Sequence, residues 1–352
     1  MAAVIPVVWS DDVLAHDPRD EVWVGVRTDG TEVPARATVL RAALAAAGHP
    51  EVPADEHPDD VLLEVHEPGL VDWLRTAWDA WEAGPYRDLV GSDRVVPYVF
   101  PTPFMTSGMP WRYPAATHAR AGVWCYDTMT VVGPGTWRAA RGAVDVALTA
   151  TDLVLSGRAR SAYALTRPPG HHAAPAGFGG SCYLNNAAVA AQALTRAGHR
   201  VAVLDVDAHH GNGTQAAFWQ RADVLYASVH VDPGAGWFPH VQGYGDERGA
   251  GPGEGATVNV PLPPGTEDEG WLAAVRLLVE AALRFDADAV VYSLGLDAAA
   301  ADPESPLQVS ADGYARAGAL VGALDLPTVV VAEGGYDLAS LGDLAVAALA
   351  AF

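Results

Sequence analysis

Asp207-Ala-His209, with Asp297 further along the chain, has the composition of a metal site. In an extended strand, residues i and i+2 point to the same side. The Asp207 carboxylate and the His209 imidazole would then converge on one cation. Asp297 would add a third ligand and leave a position open for water. An Asp₂His set suits zinc, ferrous iron or cobalt. Two adjacent histidines, His171 and His172, follow Arg167-Pro-Pro-Gly, a turn with few free torsions. Neighbouring imidazoles can serve as general base and general acid, and each needs an orienting partner. Asp205 is a candidate for one and Asn212 for the other. Asp205 shares the site side of the strand with Asp207 and lies deeper. A carboxylate on one imidazole and an amide on the other would give the pair unlike basicities. Gly334-Gly335-Tyr336 adds a flexible backbone and a phenol that can donate to an oxyanion building on a carbonyl. These parts describe metal-assisted hydrolysis of an acyl bond. There is no G-x-S-x-G elbow, and the chain has no lysine with which to build a P-loop.

Elements of regular structure must bring these residues together. β-branched apolar runs over 161–166, 200–207, 223–230, 257–262, 288–295 and 327–333 read as strands. Segments at helical spacing lie near 36–48, 67–82, 137–156, 185–198, 213–221, 268–284, 311–324 and 338–350. The alternation predicts a parallel sheet covered on both faces, and the continuous apolar strands fit burial on both sides. Each of the four polar clusters follows the C-terminal end of a predicted strand. Open α/β sheets place ligands at that edge. The fold expected is α/β, one three-layer domain over 1–352 with a central, mostly parallel sheet flanked by helices. A Pro/Gly-rich stretch, Val95 to Pro114, reads as a long loop of that domain, at about 91–120 near the site entrance.

Of 352 residues half are hydrophobic and 18% are charged, a globular balance. Asp and Glu number 43 against 21 basic residues, all arginine, for a formal charge of −22. Such acidity disfavours nucleic acid as a partner and favours cationic ligands. No apolar run reaches the roughly 18 residues needed to cross a bilayer. The opening segment lacks a basic region and turns acidic by Asp11, unlike a signal peptide. With two cysteines, Cys125 and Cys182, a reduced cytoplasmic setting is the simplest expectation.

The strings RPPGHHA (167–173), GGSCYLNNAAVAAQ (179–192), DVDAHHGNGTQ (205–215), LYASVH (225–230), YSLGLD (292–297) and EGGYDL (333–338) occur in an order that resembles the arginase/deacetylase superfamily. Within it the chain is most similar to the histone deacetylase-like amidohydrolases, above all the bacterial acetylpolyamine amidohydrolases. VHEPGLVDWLRTAWDAW (65–81) and AGVWCYD (121–127) extend the likeness over nearly the whole chain. The resemblance implies one zinc ion on Asp207, His209 and Asp297. It implies His171 and His172 as acid/base residues, partnered by Asp205 and Asn212, and Tyr336 as the group that polarises the substrate carbonyl. It also implies a potassium ion held by Asp205, Ser228 and backbone oxygens of Asp207, His209 and Val229. Phe238 of the WFPH loop would line a substrate channel, with Gly180 and Gly334 beside it.

Departures from the family pattern bear on the substrate. Ser181 stands where a second channel aromatic is usual, with Phe178 nearby to compensate. His118 stands where the acetylpolyamine group often carries a glutamate that favours cationic substrates. Two-manganese arginase-type enzymes carry further aspartates where this chain has Gly211 and Gly295, so one metal is favoured. The leading expectation is a zinc-dependent removal of an acetyl or short acyl group from a small-molecule amine such as an acetylpolyamine. Deacylation of a secondary-metabolite intermediate or of protein acetyl-lysine is the alternative; a two-manganese ureohydrolase or a non-enzymatic amine binder ranks below. In the acetylpolyamine group the region matching 95–114 contributes to a dimer, which leaves a homodimer open here.

Overall fold

The computed structural model describes residues 4–88, 94–110 and 112–352. Ten strands occur among them: β1 (Val7–Trp9), β2 (Asp20–Trp23), β3 (Val26–Asp29), β4 (Glu51–Pro53), β5 (Ser161–Ala164), β6 (Val201–Asp205), β7 (Val224–Val231), β8 (Thr257–Leu262), β9 (Ala289–Leu294) and β10 (Thr328–Ala332). Eight of them form one sheet in the order β4-β1-β5-β10-β9-β6-β7-β8. Every pairing in it is parallel. β5, β6, β7, β9 and β10 are buried along their whole length, as their unbroken apolar sequences require.

Helices pack in two groups. Thr136–Leu155 and Asn186–Arg196 contact each other and the strands β1, β5, β10, β9 and β6. Pro34–Ala46, Leu341–Leu349, Ala311–Gly322 and Asp268–Arg284 contact one another in series, and the last also meets β6, β7 and β8. This is the covered sheet expected from the sequence. Local chemistry sets the ends of these helices. The Asn185 side chain caps Asn186–Arg196 by accepting from the Ala188 N–H at 2.8 Å. Asp268 and Glu269 open the helix that Arg284 closes, matching the helix dipole at both ends.

The connectivity positions the site. After β5 the chain skips two places to form β6, runs outward through β7 and β8, then returns to fill the gap with β9 and β10. The four strands that carry the polar clusters are therefore the four adjacent strands β5-β10-β9-β6. Their ends are level: Ala164 pairs with Val331, Ala332 with Leu294, and Asp205 with both Ser293 and Ser228.

The first 135 residues are more structured than their irregular sequence suggests. β1 and β4 extend the sheet with three residues each, too few to show a period. β2 and β3 form a separate antiparallel hairpin. Short helices at Asp60–Val65, Pro103–Thr106 and Thr117–Trp124 were also not apparent. Of the stretch expected as an entrance loop at about 91–120, residues 91–93 and 111 lie outside the described residues. Its described part exposes Phe104, Met105 and Met109. No described helix is long and apolar enough to cross a membrane.

Candidate active site

β6 ends at Asp205, and the chain continues through Asp207 and His209 before turning into the helix Asn212–Phe218. Asp207 and Asp297 are buried and His209 is partly exposed. One donor atom from each of the three lies within 4.8 Å of the others. The His209 Nδ1 is 2.9 Å from Asp297 Oδ2 and 3.4 Å from Asp207 Oδ1. Backbone amides hold the carboxylates. The Ala208 N–H donates to Asp297 Oδ1 and the Gly334 N–H to Asp207 Oδ2, both at 2.8 Å. A side chain at Gly334 has no room, since its Cβ would lie 2.6 Å from Asp297 Oδ2 and 2.7 Å from Asp207 Oδ2. Gly334 therefore grips the carboxylates from behind; it is not among the residues that line the channel.

The tandem histidines diverge as their partners do. The His171 Nδ1–H donates to Asp205 Oδ2 at 3.1 Å, and the His172 Nδ1–H to Asn212 Oδ1 at 2.8 Å. Their ring centroids are 4.1 Å apart. Burial works against charge on both rings. At His171 the carboxylates of Asp207 and Asp205 outweigh it and raise the imidazole to about 10. At His172 the neighbouring imidazoles of His171 and His209 add to burial and push it well below the usual histidine range. The loop of the two histidines is pinned by Glu333, whose Oε2 accepts from the N–H groups of Gly170 (2.7 Å) and His171 (3.1 Å).

Tyr336 follows β10 and is partly exposed at the site. Its N–H donates to Asp302 Oδ2 at 2.6 Å. The Arg36 guanidinium lies 4.6 Å from the centre of its ring and donates to the carbonyls of Gly335 and Glu333. Arg36 is in turn paired with Glu32 at 2.8 Å, and Glu32 with Arg167 at 2.8 Å, all buried. Burial holds the Tyr336 phenol well above its usual value, against the pull of Arg36, so the hydroxyl stays a donor.

His172, His209 and Tyr336 border a cavity of about 720 Å³, together with Gly180, Ser181 and Phe238. The Phe238 ring meets His172 edge-on at 4.7 Å. Gly180 has φ +57°, and a Cβ there would sit 2.4 Å from His172 Cδ2. Phe178 is a correction. It is fully buried, stacked 5.9 Å from Trp73 and 5.4 Å from Tyr183, and lines no part of the cavity. Its aromatic neighbours draw it into the core. The ring behind Phe238 is Tyr126, at 6.3 Å and nearly parallel. His118 is a second correction. It packs edge-on against Tyr86 at 4.4 Å and does not line the cavity, nor does any described residue of 94–120. Ser228 stands opposite Asp205 in the β6–β7 register, with Val229 next to it, and its Oγ is 2.8 Å from His230 Nδ1.

Several residues here escaped the sequence reading. Glu333 carried a signal, as a carboxylate ending the apolar run of β10 directly before the glycines. Arg36, Glu32, Asp302 and the hairpin residues Glu21 and Trp23, which line the outer part of the cavity, carried none, because their relation to the site is purely tertiary.

A histone deacetylase domain profile matches residues 31–352. The chain is 38% identical to the acetylpolyamine amidohydrolase of Mycoplana ramosa, over 96% of both chains. It is 42% identical to the acetylpolyamine amidohydrolase of Burkholderia pseudomallei, over 94% of this chain and 93% of that one. The crystal structure of an acetylpolyamine aminohydrolase from Burkholderia pseudomallei superposes with a TM-score of 0.92 at 41% identity, covering 99% of this chain and 98% of the other. The fold, the order of the motifs and the extent of these matches agree: the chain belongs to the histone deacetylase family.

Proposed function

We propose that the enzyme hydrolyses the acetyl or short acyl amide of a small amine, with acetylpolyamines as the substrate class and zinc as the metal. The observation that carries this reading is the shared cavity. Two of its lining residues, His172 and Tyr336, have the chemistry of proton transfer and carbonyl polarisation, and a third, His209, belongs to the candidate metal set. The names of the relatives support the substrate class.

The residues fit a divalent ion. Asp207, His209 and Asp297 would hold it, and two buried carboxylates at one point need a positive partner. Burial, then the Asp207 carboxylate, drives the Asp297 carboxyl up to about 7. When bound, the ion supplies Lewis acidity toward the amide carbonyl and the attacking water. A second ion lacks room for its ligands: a Cβ at Gly295 would fall 2.2 Å from Asp207 Oδ2, and one at Gly211 2.4 Å from Asp205 Oδ2. We read Asp205, Ser228 and the main-chain oxygens of Asp207, His209 and Val229 as a structural potassium site.

His172 takes the proton from water. With its Nδ1–H committed to Asn212, its Nε2 lone pair is the free acceptor, and the ring is kept neutral. The Tyr336 hydroxyl donates to the carbonyl oxygen as negative charge builds there. His172 then returns the proton to the departing amine nitrogen. His171 lines no part of the cavity, and its Nδ1–H is held by the Asp205 carboxylate.

The test is a panel of amides offered to zinc-loaded protein, with freed primary amine as the readout. It contains acetylputrescine, acetylspermidine, acetylcadaverine, an acetyl-lysine peptide and an uncharged N-acetyl amide. Preference for the acetylated polyamines is expected. Turnover confined to the peptide or the neutral amide would move the substrate elsewhere, and no turnover of any amide would remove the activity.

A further inference from the structure

Asn212 has to present its oxygen, not its nitrogen, to His172. The two ends of an amide are alike in size and shape and differ only in whether they accept or donate. The main chain of Asn212 is fixed, since its N–H donates to the His210 carbonyl at 2.8 Å where the helix Asn212–Phe218 begins. A half-turn of the amide about its last bond would place Nδ2 against His172 Nδ1. That nitrogen would then have to accept, and the ring proton would move to Nε2. No lone pair would remain on the ring for water.

Tyr126 tells the two ends of the amide apart. Its hydroxyl oxygen lies 2.8 Å from the main-chain oxygen of His172 and 3.4 Å from Asn212 Nδ2. A carbonyl only accepts, so the single phenolic hydrogen goes to His172. The phenolic oxygen keeps its lone pairs, and the Asn212 atom turned toward it must be a donor. Nδ2 therefore faces Tyr126, Oδ1 faces His172 Nδ1 at 2.8 Å, and the ring proton sits on Nδ1. Among the described residues Asn212 Nδ2 has no second hydrogen-bond partner. The phenol is closely seated. The Tyr126 N–H donates to the Phe178 carbonyl at 3.0 Å, its ring lies 6.3 Å from Phe238, and a Cβ at Gly179 would fall 2.2 Å from its Cε2.

We infer that Tyr126 is a positioning residue of the reaction, given the reading of His172 as its base: the Tyr126 hydroxyl sets the orientation of the Asn212 amide and, through it, the tautomer of His172. Tyr126 itself lines no part of the cavity. It acts on His172 at two points, directly at the main chain and through Asn212 at the ring.

The zinc-loaded variants Y126F, N212D and Y126F/N212D test this. Y126F keeps the ring and removes only the hydroxyl. Its kcat for N-acetylputrescine should fall about tenfold with KM little changed, because part of the population carries the ring proton on Nε2. In N212D both ends of the side chain are oxygen, so its orientation no longer matters. Y126F/N212D should therefore run within about twofold of N212D. Equal losses from Y126F on both backgrounds would make the hydroxyl purely structural and overturn the inference. Nitrogen NMR of protein with isotope-labelled histidine reads the ring without turnover, with His172→Ala to identify its signals. The wild type should show a neutral His172 with the proton on Nδ1, and Y126F a second population with the proton on Nε2. The Nε2–H form in the wild type, or the Nδ1–H form alone in Y126F, would also overturn it. If the wild type cleaves no amide while Y126F shifts the tautomer, the positioning role stands and the deacylase reading falls. If amides are cleaved and the tautomer does not respond, the reverse follows.

Discussion

The Nδ1 of His172 lies 2.8 Å from Oδ1 of Asn212, while its neighbour His171 is matched with a carboxylate. An amide cannot stabilise an imidazolium as a carboxylate does, so the ring that faces the cavity is the neutral one. His172→Ala should cut kcat by roughly 10²-fold or more with zinc still bound. Asn212→Asp should raise the basicity of His172 and shift the acidic limb of the pH–rate profile upward. Metal content and kcat/KM against pH check both; a wild-type rate for His172→Ala removes it from the mechanism.

Tyr336 is held by its own N–H on Asp302 and by the Arg36 guanidinium against its ring. Tyr336→Phe keeps the ring and removes only the donor. It should lower kcat roughly 10²-fold or more while KM changes little, since the hydrogen bond strengthens as the oxyanion forms. A variant that loses binding and not turnover would place Tyr336 in substrate recognition instead.

Asp297 receives the Ala208 N–H on one oxygen and faces His209 with the other. Asp297→Ala should leave the chain with little bound zinc after dialysis. Wild-type protein treated with chelator should lose activity and regain it at about one zinc per chain. Full zinc occupancy in the variant excludes Asp297 as a ligand, and two tightly bound manganese ions per wild-type chain would contradict a single-ion site.

The central sheet was legible because β5, β6, β9 and β10 are buried on both faces and each ends in a polar cluster. The Asp-x-His spacing at 207–209 and the His171-His172 pair were legible because each follows a strand ending at the same edge of the sheet, although both lie in the loops beyond β6 and β5. The cavity wall was not. Glu21 and Trp23 stand on a hairpin that makes no ladder with the main sheet. Phe178 was misplaced because an aromatic in a loop next to the site is equally suited to the core, and Trp73 with Tyr183 claims it there. His118 shows the same limit, since neither its helix nor its neighbour Tyr86 could be read from the sequence.

Two buried histidines away from the site should make the fold acid-labile. The His66 Nδ1–H donates to the Ala174 carbonyl while Nε2 accepts from the Asn185 N–H, and His16 lies between Thr136 and Tyr183. Burial lowers both from 6.5 to about 4. Above pH 6.5 neither the folded nor the unfolded chain protonates them, so the full stability is present. Between 6.5 and 4 the unfolded chain binds protons that the folded chain excludes, and stability falls as pH falls. Each histidine contributes about 1.4 kcal/mol per pH unit, and the loss from these two levels off below about 4. Urea unfolding at a series of pH values checks this. His66→Gln should make the decline between 6.5 and 4 shallower, and an unchanged slope would exclude His66 as a source.

Gly295 lets the backbone after β9 pass directly under Asp207. A Cβ there would lie 2.2 Å from Asp207 Oδ2 and 2.5 Å from its Cα. Both contacts are with buried Asp207, one of them with its backbone Cα, so the added methyl must displace this residue from its place beside His209 and Asp297. Gly295→Ala should therefore weaken zinc binding about 10- to 100-fold and destabilise the fold by about 1–3 kcal/mol. Gly265→Ala is the control: its φ of +82° also strains alanine, but nothing lies within 4 Å of the added Cβ. It should cost stability without changing zinc affinity. Competition with a chromophoric chelator reads the first effect and urea midpoints the second. If Gly295→Ala bound zinc as tightly as wild type, the tight seating of Asp207 against this backbone would have no part in holding the ion.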